Sequence, residues 1–122
     1  MADFTATTTI PRKRVYDTVI TGVESGPYGS FLVQAAQYQD ACERAERLEP
    51  DAWANCVFGV MYEDDREVYK PQPLTDTLIQ AGLDFMAHTY PKHLADIIEE
   101  RDDAITGDVL LQCSLLGDII YG

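Results

Sequence analysis

The amino-acid sequence predicts an α+β fold: a small antiparallel sheet of about three strands packed with four or so helices, with the C-terminal half all helical. Three observations carry this. One helical periodicity precedes any strand, the segment "NCVFGVMYEDDREVYKP" reads as a hairpin, and everything after Pro73 repeats its apolar residues at helical spacing. A chain of 122 residues is about one domain's worth, so a single unit over 1–122 is expected, with 1–10 flexible or an edge strand.

Pro11 suits a first helical position, and Val15, Val19, Gly22 and Val23 then recur until Ser25-Gly26-Pro27, which predicts a helix over 11–24. Arg12, Lys13 and Arg14 in its first turn oppose the helix dipole, a local cost that calls for acidic partners elsewhere. The aromatic and apolar run "GSFLVQAAQY" (29–38) predicts a strand, and "ACERAERLEPD" (41–51) a short amphipathic helix through Ala41, Ala45 and Leu48. In the hairpin, a continuously apolar strand is followed by a charged turn from Glu63 to Glu67. A return strand over Val68 to Lys70 completes it, and Pro71 and Pro73 end the sheet.

Thr75 is the expected N-cap of a helix over about 76–89, with Leu74 and Ile79 as a hydrophobic staple. That helix turns Leu78, Ile79, Gly82, Leu83, Phe85 and Met86 inward, and Asp76, Gln80, Asp84 and His88 outward. Pro91 starts another, in which Leu94, Ile97 and Ile98 face the core while Asp96, Glu99, Glu100 and Asp103 form one outward stripe. Thr106 is read as the cap of a last helix from Gly107 to Tyr121, so apolar that only Ser114 and Asp118 make a polar strip. Such a helix is either central to the domain or a dimer contact through Leu111, Leu115 and Ile119.

Charge narrows the function. Twenty-one acids against nine bases give −12, and from Val15 onward twenty acids face six bases. Such a body repels nucleic acid and anionic membrane, and attracts basic partners. Three cysteines, widely spaced and odd in number, fit reduced thiols in a cytosol better than a disulfide framework. Residues 1–10 lack the basic start and apolar core of a signal peptide, and the longest nearly apolar run, at the C-terminus, is too short and too interrupted to span a bilayer.

No nucleophile motif, phosphate loop or His-Glu-x-x-His occurs, and the acids cluster on expected solvent faces where all would stay ionised, so the chain is not expected to be an enzyme. The best metal set is Asp84, His88, His93 and Asp96, but its histidines fall on separate predicted helices, and neither a metal nor a cofactor is expected. Carboxylates on successive helix turns lie about 5–6 Å apart, close to phosphate spacing along a strand. Asp96, Glu99, Glu100 and Asp103, joined by Asp102 and by the turn Glu63-Asp64-Asp65, are therefore the candidate partner-binding surface, with Tyr28, Trp53 or Tyr90 adding apolar affinity.

The run "YPKHLADIIEERDDAITGDVLLQCSLLGDIIYG" resembles the C-terminal part of a family of small acidic proteins encoded by phages and mobile elements. Its elements here are Tyr90-Pro91-Lys92-His93, Asp96, Asp103-Ala104-Ile105-Thr106-Gly107-Asp108-Val109, Leu111-Gln112 and Gly117 to Gly122. "YDTVITGVESGPYG" is similar too, whereas the charged segment 40–52 departs from the pattern. The resemblance, to a family of largely unassigned activity, implies a phage or plasmid origin; because small acidic phage proteins include inhibitors of restriction and CRISPR systems, the expected function is an anti-CRISPR or anti-restriction inhibitor that blocks a basic surface of a host nucleic-acid-processing complex. The alternative is an assembly accessory acting through the apolar C-terminal helix.

Overall fold

A computed structural model describes residues 9–26, 30–61, 68–101 and 103–119. In chain order these form α1 (Arg12–Ser25), β1 (Ser30–Leu32), α2 (Ala35–Glu46), β2 (Val57–Met61), β3 (Val68–Pro73), α3 (Asp76–Thr89), α4 (Pro91–Ile98) and α5 (Ala104–Leu116). The three strands make one antiparallel sheet in the order β1-β2-β3. The α+β expectation holds, with five helices among the described residues and only helices after β3.

α5 is the axis of the helical layer. Every residue from Thr106 to Leu115 is buried, and both α1 and α3 pack on it, α1 crossing at Gly107 and α3 two turns further along at Ser114. Both crossings are close because glycine removes the side chain at the contact. A methyl group on Gly22 of α1 would lie 2.5 Å from the carbonyl oxygen of Gly107, and one on Gly107 would lie 2.5 Å from the backbone nitrogen of Gly22. Two turns further along, a methyl group on Gly82 of α3 would lie 2.9 Å from Cα of Ser114 and would strike its hydroxyl.

The sheet contributes Phe58 and Val60 to the same core, where Trp53 meets Tyr16, Tyr38 and Phe58 ring to ring. Gln72 on β3 reaches inward as well and donates to the carbonyl oxygen of Leu115 at 2.6 Å, which satisfies an open group at the end of α5.

Several local expectations are corrected. The strand expected over 29–38 is only Ser30–Leu32 among the described residues, because Gln34 caps a helix by accepting from the backbone N–H of Gln37 and two good helix formers, Ala35 and Ala36, follow it. The helix expected over 41–51 is thus the second half of α2, which ends at Glu46. Pro71 and Pro73 do not end the sheet. They lie in β3, an edge strand, where a missing N–H costs no pairing on the open side.

Asp103 caps α5 in place of Thr106, accepting at 3.0 Å from the Thr106 backbone N–H and at 3.2 Å from its hydroxyl. α5 stops at Leu116, ahead of the predicted Tyr121, on Gly117 at φ +80°. Ser114, expected on a polar strip, is buried against α3. By contrast, α3 has the predicted bounds, its Thr75 cap accepts from Leu78, and Leu74 and Ile79 are both buried.

Candidate interaction surface

The first turn of α1 carries the three clustered cations, and each finds carboxylate company, as the dipole argument requires. Arg12 donates to Asp76 Oδ2 at 2.6 Å and to the Tyr16 hydroxyl at 2.7 Å. Tyr16 in turn donates to Asp76 Oδ1 at 2.7 Å. Asp51 and Asp76 exchange hydrogen bonds, each carboxylate accepting the other's backbone N–H at 2.8–2.9 Å. Burial works against ionisation of Asp76, but the Asp51 N–H, Arg12 and Tyr16 together hold its carboxyl below the ordinary range. Lys13 pairs with Asp17 at 2.6 Å. Arg14 joins Glu100 at 2.7 Å and donates at 2.6 Å to the carbonyl oxygen of Ile98, closing the end of α4.

This arrangement changes the predicted acidic stripe. α4 ends at Ile98, so of the stripe only Asp96 belongs to its helix. Glu99 is the C-cap and pairs with Arg101, Glu100 turns into the left-handed region at φ 58°, and Asp103 begins α5. The N–H of Glu100 bonds to the carbonyl of Ile97, and that of Arg101 to the carbonyl of Asp96. These bonds make a Schellman ending. The carboxylates therefore surround a corner between two helices, Glu99, Glu100 and Asp103 exposed and Asp96 half-buried. The Thr106 N–H holds the Asp103 carboxyl low, as a cap should. Asp102, Glu63, Asp64, Asp65 and Tyr28 lie outside the described residues.

The proposed dimer surface is also corrected. Leu111 and Leu115 are 0% and 8% exposed, covered by this chain's own α1 and α3, and Ile119 is half-buried against the same core. Trp53 is likewise spent in the core at 0% exposure, and the half-buried Tyr90 donates to Asp118 at 2.6 Å. Among the described residues no group of three His, Cys, Asp or Glu side chains comes close enough to hold a metal ion, so Asp84, His88, His93 and Asp96 do not form one. His88 Nδ1 instead lies 3.1 Å from the Asp84 carbonyl oxygen. Cys42, Cys56 and Cys113 are free thiols, and burial raises all three, Cys56 to about 11 and Cys113 to about 12, so none is poised as a thiolate.

A second acidic face lies outside the expected partner-binding surface. On α2, Asp40, Glu43 and Glu46 lie on the exposed side. Asp40 pairs with Arg44 at 2.8 Å, whereas Glu43 and Glu46 have no partner among the described residues. Its sequence signal is the three-residue spacing of Asp40, Glu43 and Glu46 within "DACERAE", which a helix start at Ala41 cuts through.

No family model, curated protein or solved structure matches the chain. No helix of the described residues is long and apolar enough to cross a membrane.

Proposed function

We propose that this is a non-enzymatic, mobile-element-encoded protein that binds a basic surface of a host nucleic-acid-processing complex in the cytosol and occludes it, as an anti-CRISPR or anti-restriction inhibitor does. The observation that carries this reading is the fate of the bases. Arg12, Lys13, Arg14, Arg44, Arg47 and Arg101 are each paired with a carboxylate of the same chain, while Lys92 among the bases and Glu43, Glu46 and Asp96 among the acids have no partner among the described residues. The cluster Arg12-Lys13-Arg14 is thereby withdrawn from phosphate binding, and the uncompensated charge of the surface is negative. The sequence resemblance to small acidic phage proteins supports the same reading.

The acidic contacts are assigned to two places, the corner holding Asp96 and Glu99 and the α2 face holding Glu43 and Glu46. Glu100 and Asp103 are held by structural tasks, one in the Arg14 pair and the other as a cap. The assembly alternative loses its premise, since the leucines it needed on the surface are internal.

The test is capture from a bacterial lysate with the wild-type protein and with a variant carrying Asp96→Lys, Glu99→Lys, Glu43→Lys and Glu46→Lys. The expected captured proteins bind nucleic acid, are released by rising salt, compete with added duplex DNA, and are lost with the variant while its circular dichroism is unchanged. Capture that is indifferent to salt, to DNA and to the four reversals rejects the reading.

A further inference from the structure

Between the start of α1 and the start of α3 lies a cleft of about 270 Å³. Val15 of α1 with Ile79 and Leu83 of α3 form its apolar wall, and Arg12, Tyr16 and Asp76 its polar end. Val15, Tyr16 and Ile79 are buried and make the floor, Leu83 is half-buried, and Arg12 is exposed at the rim. An engineered apolar cavity of about 150 Å³ takes up benzene. The cleft therefore has room for one ring and a small polar substituent.

The polar end decides the sign of that substituent. Asp76 is the one carboxylate among the described residues that line the cleft, and its oxygens are occupied. Oδ1 accepts from Tyr16, and Oδ2 accepts from Arg12 and from the backbone N–H of Asp51. A cationic ligand would have to displace Arg12 from it.

Arg12, by contrast, is only half used. A guanidinium carries five N–H donors in a planar fork. Both bonds that Arg12 makes, to Asp76 Oδ2 at 2.6 Å and to the Tyr16 hydroxyl at 2.7 Å, leave from Nη1. The edge formed by Nε and Nη2 has no partner among the described residues, and two parallel N–H groups of this kind match a carboxylate. The Nη1 bonds meanwhile fix the plane of the guanidinium, so the open edge is ordered before a ligand arrives. The neighbouring cations offer nothing similar. Arg14 engages Ile98 through Nη1 and Glu100 through Nη2, and the depression beside it and Lys13 holds two carboxylates, Asp17 and Glu100, with only Pro11 as an apolar wall.

We propose that this cleft binds a small monocarboxylate with a one-ring apolar body, its carboxylate on Nε and Nη2 of Arg12 and its ring against Val15, Ile79 and Leu83. The inference is independent of the acidic-surface reading, since it uses none of Asp96, Glu99, Glu43 and Glu46.

The experiment uses the full chain, labelled with nitrogen-15, titrated with sodium benzoate, benzamide and sodium acetate. Benzoate is expected to move the side-chain Nε–H signal of Arg12 and the backbone amide signals of Ile79 and Leu83 saturably, with a dissociation constant of about 1 mM. Benzamide has the ring without the charge and acetate the charge without the ring, and each is expected to bind about tenfold more weakly or worse. Arg12→Lys keeps the charge and loses the fork, so it is expected to weaken benzoate about tenfold, with benzamide binding and circular dichroism unchanged. Leu83→Ala is expected to weaken benzoate and benzamide alike, about threefold. Absence of saturation by about 20 mM benzoate, equal affinity for benzoate and benzamide, or a benzoate affinity untouched by Arg12→Lys overturns the proposal. So does movement centred on Lys13 and Arg14 with the Arg12 signal still, which assigns the anion to the exposed cations next to the cleft. Each of these outcomes leaves capture by the acidic faces as it was.

Discussion

The crossings of α5 with α1 and α3 and the C-termini of α2 and α4 make opposite use of glycine. At the crossings, Gly22, Gly82 and Gly107 have unexceptional helical backbones and cost helix propensity, yet a single added methyl group would collide with the neighbouring helix. At the two helix ends the backbone turns left-handed at Leu48 (φ 57°) and Glu100 (φ 58°), where glycine is the usual residue and none is present. The bonding at both ends is otherwise regular: Leu48 and Glu49 donate to the carbonyls of Ala45 and Arg44, just as Glu100 and Arg101 donate to those of Ile97 and Asp96. Glycine is thus placed where backbones must approach, a requirement that no other residue meets. It is omitted where the penalty is only about 1–2 kcal/mol of local strain.

The sharpest way to break this comparison is at the tighter crossing. Gly107→Ala should destabilise by about 3 kcal/mol, because its methyl group meets backbone atoms of α1 that cannot rotate away. Urea denaturation measures this, and a loss under about 1 kcal/mol would mean that the two helices separate freely.

Gly82→Ala should cost less, about 2 kcal/mol, since part of its clash is with a side chain. Ser114→Gly in the same chain should restore some of that stability and not all, because Cα of residue 114 still lies within 2.9 Å. A double-mutant cycle reads the coupling.

Between the two extremes lies the Asp76 network, whose effect depends on pH. The folded carboxyl titrates below its unfolded value, so its contribution is fully present above about pH 4 and is lost as pH falls through the depressed folded value. Asp76→Asn should cost about 1 kcal/mol at neutral pH and flatten the acid limb of a stability–pH curve. An unchanged acid limb would show that other carboxylates set it.

The smallest effects belong to the helix ends. Leu48→Gly should stabilise by about 0.5–1 kcal/mol, relieving the left-handed strain of a residue that is also 44% exposed. Glu100→Gly should come out near zero, because relief is offset by loss of the exposed pair with Arg14. Thermal melts of the two variants side by side separate strain from pairing.

Much of this architecture was legible in the sequence, and the misreadings have physical causes. α1 and α3 were placed within a residue or two, because an N-terminal proline or a threonine cap coincided with uninterrupted helical spacing. α2 was started late because aromatic and apolar residues before it mimic a strand, a choice settled by the cap at Gln34. The acidic stripe misled more seriously. Continuing the period of α4 through Glu99, Glu100 and Asp103 assumed that the helix went on, whereas two successive Schellman bonds and the Arg14 contact with Ile98 stop it. No residue in "IIEERDD" signals that stop, since the left-handed position is occupied by a glutamate.

The sequence by itself determined the order and type of the elements, the excess of negative charge, the need of Arg12, Lys13 and Arg14 for acidic partners, and an apolar last helix with few neighbours to spare it. These depend on local spacing and on formal charge, which are properties of the chain. Only the tertiary structure decided which acids those bases would take, that Leu111 and Leu115 would be enclosed by α1 and α3, and that Gly22, Gly82 and Gly107 would lie where two helix backbones meet. Those outcomes depend on which surfaces meet across dozens of residues of intervening chain, where close packing, not periodicity, selects the neighbour.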